Sequence, residues 1–294
     1  MPPGITALLL SWSLRADITV VLSLAGLAYF LGWRRLRPSR RGIPSRKGHE
    51  RTRFLATRWR LSSYLCGIAA MMFTLMSPID VLGGHMFFIH MIQHLLLVMV
   101  IPPLLLIANP LPFMLWGIPS QIRIYVGRCL SKGSPFRETL TTLTRPGLVW
   151  LFFILSFIGW HDPWMYNKAL SSKLLHDLEH LTFFGSAMLY WWHITRAGPR
   201  IHHHFTDKMR VTYLLATVPA NMLAGVAITF ASQPLYNYYR SVPRLWGISL
   251  MQDQMLGGII MWIPGSMMYL AAVIIVLARS ISVREQKRSL QDTS

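Results

Sequence analysis

The chain has 294 residues, 53% of them hydrophobic and 14% charged, with 29 Lys and Arg against 11 Asp and Glu. Soluble domains carry about 25% charged residues, so the composition excludes an ordinary soluble enzyme and a disordered chain. A net charge of +18 would fit a nucleic-acid binder, but the basic residues fall between apolar runs of membrane-spanning length, which excludes that class too. Cys66 and Cys129, the two cysteines, cannot make a disulfide framework or a thiolate cage.

A hydrocarbon core about 30 Å thick takes roughly 20 apolar residues as helix. Runs at about 18–33, 61–79, 86–107, 147–160, 174–194, 211–232 and 255–278 meet or approach that length, the fourth being the shortest. The expected fold class is all-α: one integral membrane domain over residues 1–294, a polytopic bundle of seven transmembrane helices. The first run reads as a retained helix rather than a cleavable signal, because Arg34 and Arg35 follow it and the chain starts without a basic n-region. Segment 34–60 holds eleven Lys and Arg along with Pro38, Gly42, Pro44 and Gly48. It reads as a cytoplasmic loop, either lying on anionic lipid or serving only as a topogenic signal. The apolar stretch 113–118, between Pro112 and Pro119, is too short to cross and is expected at the interface.

Twenty-four of the 29 Lys and Arg lie in alternate loops: 34–60, 108–146, 195–210 and the C-terminal tail. The positive-inside rule then puts the N-terminus outside, the C-terminus inside and the basic loops in the cytoplasm. Tyr and Trp mark both interfaces, with Trp160, Trp164, Tyr166, Tyr236, Tyr238, Tyr239 and Trp246 on the outer side.

Ionisable groups inside a span are costly and point to function by default. The third run enters from outside and places His90 and His94 four residues apart, one turn apart on one helix face. The fifth also enters from outside and repeats the spacing with His176 and His180. Both pairs fall in the outer half of the membrane. Two such helices can bring four imidazoles to one place, and neutral imidazole suits copper, zinc, iron and nickel. His90, His94, His176 and His180 are therefore the candidate metal ligands, expected to act as one unit. His85 and His161 are further candidates at the same face. Asp177, Glu179, Asp253 and Gln254 can orient ring N–H groups, and the thioethers of Met86 and Met255 would favour Cu(I). The competing explanation for each histidine is a hydrogen bond across a helix interface, and for each methionine ordinary packing. His202, His203 and His204 read as a solvated inner loop. Cys66 reads as a packing residue inside the second span, Asn221 as an interhelical hydrogen bond, and Gly257-Gly258 as a site of close helix approach.

Three stretches together resemble the CtaG family of cytochrome c oxidase assembly factors. One is His85 to His94 followed by Leu95-Leu96-Leu97 and Pro102-Pro103. The second is His161-Asp162-Pro163-Trp164-Met165-Tyr166-Asn167-Lys168, followed by His176, His180 and Trp191-Trp192. The third is Asp253-Gln254-Met255-Leu256-Gly257-Gly258 running to Pro264-Gly265. The resemblance covers about residues 61–278. It implies a multi-pass protein of the bacterial inner membrane that matures an aa/caa-type heme–copper oxidase at the copper-delivery stage. Its implied partners are an oxidase subunit and periplasmic copper chaperones, and it implies no enzymatic activity. A single-span copper chaperone of the same name uses a cysteine pair that this chain lacks.

Three functions remain open on the sequence. The first is an assembly factor that binds copper through the outer histidines. The second is a membrane cytochrome whose histidines ligate heme. The third is a copper or cation transporter, which would want polar residues continuing through the inner half of the bundle; after His94 and His180 both runs turn apolar.

Overall fold

The structure is a computed structural model that describes residues 11–37, 56–199, 201–202 and 205–292. Most of the basic loop, together with His49, His203 and His204, lies outside the described residues. Every regular element among the described residues is a helix. Seven principal helices coincide with the seven apolar runs: α1 (Ala16–Leu36), α2 (Arg58–Met76), α3 (Phe87–Ile107), α4 (Pro146–His161), α5 (Lys173–Thr195), α6 (Asp207–Thr229) and α7 (Leu250–Asp292). Of these, α1, α3, α6 and α7 are long and apolar enough to cross a membrane by themselves. A fifth candidate arises if α4 is joined to the preceding helix Pro135–Leu143, from which it is bent by 55°. The chain is thus an all-helical membrane protein with four or five spans by this measure. α4 has only 16 residues, and α5 carries Lys173, Asp177 and Glu179 in its first two turns.

Rows of exposed aliphatic residues follow the long helices: Val20, Val21, Leu24 and Leu27 on α1, Leu148, Leu151 and Leu155 on α4, Ile274 and Ile275 on α7. In water such surfaces would be a liability, whereas in lipid they are the expected exterior. Cys66, expected to be packed inside its span, is instead exposed on α2. A small side chain that buries little area gains little by facing the protein. Within α3, residues Leu96–Val100 form a π-helical turn just before Pro102. The wider turn makes room for a ring that would otherwise meet the carbonyl four residues back, where proline also cannot donate an N–H.

Two compact units can be distinguished along the chain. The first comprises Met1–Val81, Leu96–Val149 and Phe184–His202. Its core is aromatic. Tyr29 of α1 stacks on Tyr64 of α2 with centroids 3.9 Å apart, and its hydroxyl donates to the Ala108 carbonyl at 3.1 Å. The stretch 113–118, expected at an interface, belongs to a helix Pro110–Gly117 that packs along α1, with Phe113 fully buried. A methyl group on Gly32 would collide with the Phe113 backbone, and one on Gly117 with that of Ala28. Two glycines, one per helix, let the backbones touch, so the segment is packed against α1.

The second unit comprises Leu82–Leu95, Trp150–Phe183 and His203–Ser294. Here α6 and α7 approach closely at Gly225 and Gly258, as the Gly257-Gly258 pair foretold. Asn221 donates from Nδ2 to the Met261 carbonyl at 2.8 Å and to the Ser266 hydroxyl at 3.1 Å. Trp160 at the end of α4 donates to the Thr182 hydroxyl of α5 at 2.7 Å, which fixes those helices against each other beside the histidines.

Candidate metal centre

α3 begins at Phe87, and its first turn is held by Asp253 of α7. The Asp253 carboxylate accepts the Phe87 N–H at 3.0 Å and the Phe88 N–H at 2.9 Å, and it pairs with Arg244 at 2.5 Å. A carboxylate at a helix N-terminus takes up otherwise unpaired N–H groups and complements the helix dipole. Arg244 also donates to the Met86 sulfur at 3.2 Å. Gln254 accepts the Leu235 N–H at 2.7 Å and donates to the carbonyls of Ile228 and Gln233. These bonds, with Tyr236 donating to the His161 carbonyl at 3.0 Å, tie the connection between α6 and α7 to the ends of α3 and α4. Asp253, Gln254 and Met86 thus build the frame; none of their bonds goes to a histidine ring.

The four histidines at helical spacing come together. Ring centroids lie 4.2 Å apart for His90 and His94, 4.2 Å for His176 and His180, 5.2 Å for His90 and His176, and 5.7 Å for His90 and His180. His161, from the end of α4, joins below with its ring 5.8 Å from that of His94. His90, His94, His161 and His180 are buried and His176 is half-buried, so the cluster meets its surroundings through the first turn of α5. On the deep side Phe183, 1% exposed, lies under His94 at 4.6 Å and His161 at 5.7 Å. Two triads have ligand atoms all within 4.8 Å of one another: His90, His176 and His180, and His90, His94 and Glu179. His85 and Asp177 are half-buried and in neither triad, and Met255 is 41% exposed.

Hydrogen bonding decides which ring nitrogens face inward. Tyr239 donates its one hydroxyl proton to the Gly83 carbonyl at 2.9 Å. Its oxygen, 3.0 Å from the Tyr166 hydroxyl, must therefore accept from it. Tyr166 has then spent its proton, and its oxygen, 2.8 Å from His90 Nδ1, accepts from that nitrogen. The opposite direction would leave two phenol oxygens 3.0 Å apart with no proton between them. Burial pushes the phenols of Tyr166 and Tyr239 well above the usual tyrosine range, so both stay protonated. His90 is thus a neutral ring with Nδ1 protonated and a lone pair on Nε2. His161 reaches the same state by a shorter route, because its Nδ1 donates to the Phe157 carbonyl at 2.7 Å.

Several of the inward atoms have no hydrogen-bond partner among the described residues. Nε2 of His90, Nε2 of His161, both ring nitrogens of His94 and both carboxylate oxygens of Glu179 are buried with no hydrogen bond, and Glu179 is 0% exposed. The nearest approach between them is His94 Nε2 to Glu179 Oε1 at 3.4 Å. Buried polar groups are paired in the great majority of cases, and an unpaired buried carboxylate is among the costliest. Imidazole nitrogens plus one carboxylate, without thiolate, form a donor set that fits a first-row transition ion such as copper or zinc. Tyr166 and Tyr239 were legible only as interface aromatics, since no local spacing connects them to His90.

A family model described as cytochrome c oxidase caa3 assembly factor (Caa3_CtaG) matches residues 4–282. Among curated proteins, uncharacterised proteins of Mycobacterium bovis and Mycobacterium tuberculosis are each 27% identical over 311 residues, covering 99% of this chain, and one of Mycobacterium leprae is 25% identical over 307 residues, covering 98%. The chain spans 43% of the length of each of these relatives. No solved structure matches it.

Proposed function

The chain belongs to the family of cytochrome c oxidase caa3 assembly factors, and on that premise we propose that it binds copper through His90, His94, His176 and His180 and hands it to a heme–copper oxidase. The observation that carries the reading is that the buried Nε2 of His90, both ring nitrogens of His94 and the Glu179 carboxylate, gathered at one place, have no hydrogen-bond partner among the described residues. A metal ion would take up the Nε2 of His90, one ring nitrogen of His94 and the Glu179 carboxylate together. Imidazole ligands exchange more readily than a buried thiolate cluster, which suits delivery over storage. Half-buried His176 supplies the side from which an acceptor's ligands, or those of a periplasmic copper chaperone, can replace those of this chain.

Mutual contact among the rings favours an ion over a heme, because a macrocycle needs a flat slot between its axial ligands. Phe183, closing the deep side of the cluster, favours a holding site over a through-path for transport. The reading includes a multi-pass protein of the bacterial inner membrane with seven spans, the N-terminus outside and the cluster in the outer leaflet. The asymmetry of Lys and Arg between alternate loops supports that orientation. A reporter fused after Ser294 should then report the cytoplasm.

The delivery role is tested in a strain lacking this protein. Oxidase apoprotein should still be made, its copper content and activity should fall, added copper should restore part of the activity, and His90→Ala should behave as the deletion. Full copper occupancy of the oxidase in the deletion strain would reject delivery.

A further inference from the structure

Glu179 and the two overlapping triads carry the reading of a copper site one step further. His90 belongs to both triads, yet its Nδ1 is committed to Tyr166, so one lone pair, on Nε2, serves both. A neutral imidazole with one lone pair binds one ion. Sharing His90 also keeps the two candidate positions close together, and with a single carboxylate between them two cations there would repel. The triads differ in chemistry. His90, His176 and His180 are three neutral donors, one of them half-buried at the first turn of α5. His90, His94 and Glu179 are all buried; among the described residues the Glu179 carboxylate has no hydrogen bond, its nearest approach being to His94 Nε2 at 3.4 Å, and when it ligates an ion it brings a negative charge to that ion. His94 lies one turn further along α3 than His90, which sets this second triad deeper.

We infer that the cluster holds one transition-metal cation at either of two mutually exclusive positions, an outer one ligated by His90, His176 and His180 and a deeper one ligated by His90, His94 and Glu179. The deeper position offsets part of the ion's charge and retains it, while the outer one exposes it for ligand exchange. His90 stays bound as the ion passes between them, so the ion moves by swapping two ligands and never leaves the protein. The inference rests on the reading of the cluster as a metal site.

The test is a titration of the purified full chain in detergent micelles with Cu(I) against a competing chelator, in wild type, His176→Ala, Glu179→Gln and the double variant. Monodispersity and thermal stability are followed for each. Glu179→Gln removes a charge without changing shape, and His176 is the least buried member, so both variants keep the helices intact. Wild type should bind one Cu(I). Each single variant should still bind one, within tenfold of the wild-type affinity, because the other position remains, and the double variant should lose at least 100-fold. Two Cu(I) ions in wild type would overturn the exclusivity. A single variant as weak as the double, or a double no weaker than the weaker single, would overturn the two positions. Should a variant fail to fold, His176→Asn and Glu179→Ala give the same comparison. A wild-type chain that binds no Cu(I) would instead sink the metal reading on which the inference rests.

Discussion

Two groups of histidines sit in or beside helices of this protein, and they end differently. In the first compact unit His193 of α5 donates from Nε2 to the Thr144 carbonyl at 3.0 Å, and His202 Nε2 lies 3.0 Å from the Thr144 hydroxyl, with the two rings 5.2 Å apart. Those nitrogens are spent on the protein itself and join the helix ending at Leu143 to the end of α5. In the second unit His90 and His161 spend Nδ1 on Tyr166 and on Phe157, and keep Nε2 in reserve beside His94 and Glu179. Burial does not separate the two groups: His193 and His94 are each 5% exposed. In the first group Nε2 bonds to Thr144, whereas Nε2 of His90 and of His161 is buried with no hydrogen bond among the described residues.

That contrast can be broken most sharply at His90, which is common to both triads. His90→Ala should weaken Cu(I) binding at least 100-fold in a chelator competition, whereas His193→Gln should leave it unchanged. Comparable losses in both variants would erase the distinction. Next comes the hydrogen-bond chain that orients His90. Tyr166→Phe leaves the ring in place but removes its acceptor, and outer partners of this kind are worth about 10–100-fold in metal affinity. Affinity should fall by that factor while the melting temperature changes little. An unchanged affinity would show that the orientation of His90 does not depend on the phenol. On the other side of the comparison, His193→Gln should lower stability by about 1–3 kcal/mol, the cost of disturbing a buried hydrogen bond and its carbonyl, measured by thermal unfolding in detergent. Smallest is Asp253→Asn. It keeps an acceptor for only one of the Phe87 and Phe88 N–H groups, which bond to different carboxylate oxygens, and loses charge against Arg244 and the helix dipole. A loss of about 1 kcal/mol is expected, with Cu(I) stoichiometry unchanged. A vanished metal site would show that Asp253 has a direct part in it.

Much of this was legible in the sequence. Spacing of four on a helix placed His90 with His94 and His176 with His180, because the helical period alone puts such residues on one face. The apolar runs located seven helices, although not their ends. The last run stops near residue 278, while α7 continues to Asp292 through Arg284, Glu285 and Gln286, which sustain a helix without adding hydropathy. Tertiary contacts were not legible. Asp253 was expected to orient a histidine, and only the folded connection after α6 reveals Arg244 and the start of α3 as its partners. Glu179 was expected to support ring N–H groups, yet its carboxylate has no hydrogen bond among the described residues and takes a place in a triad. Tyr166 and Tyr239 are 76 and 149 residues from His90, too far for any pattern to connect them.

The claim at the centre of this account is that unpaired donors in the outer histidine cluster are metal ligands. The most direct measurement is the metal content of wild-type protein purified from copper-replete membranes, joined to X-ray absorption at the copper edge. The account predicts one copper per chain, ligated by nitrogen and oxygen with the outer-shell scattering of imidazole. A protein that emerges free of metal, or whose copper is held by sulfur, would contradict it.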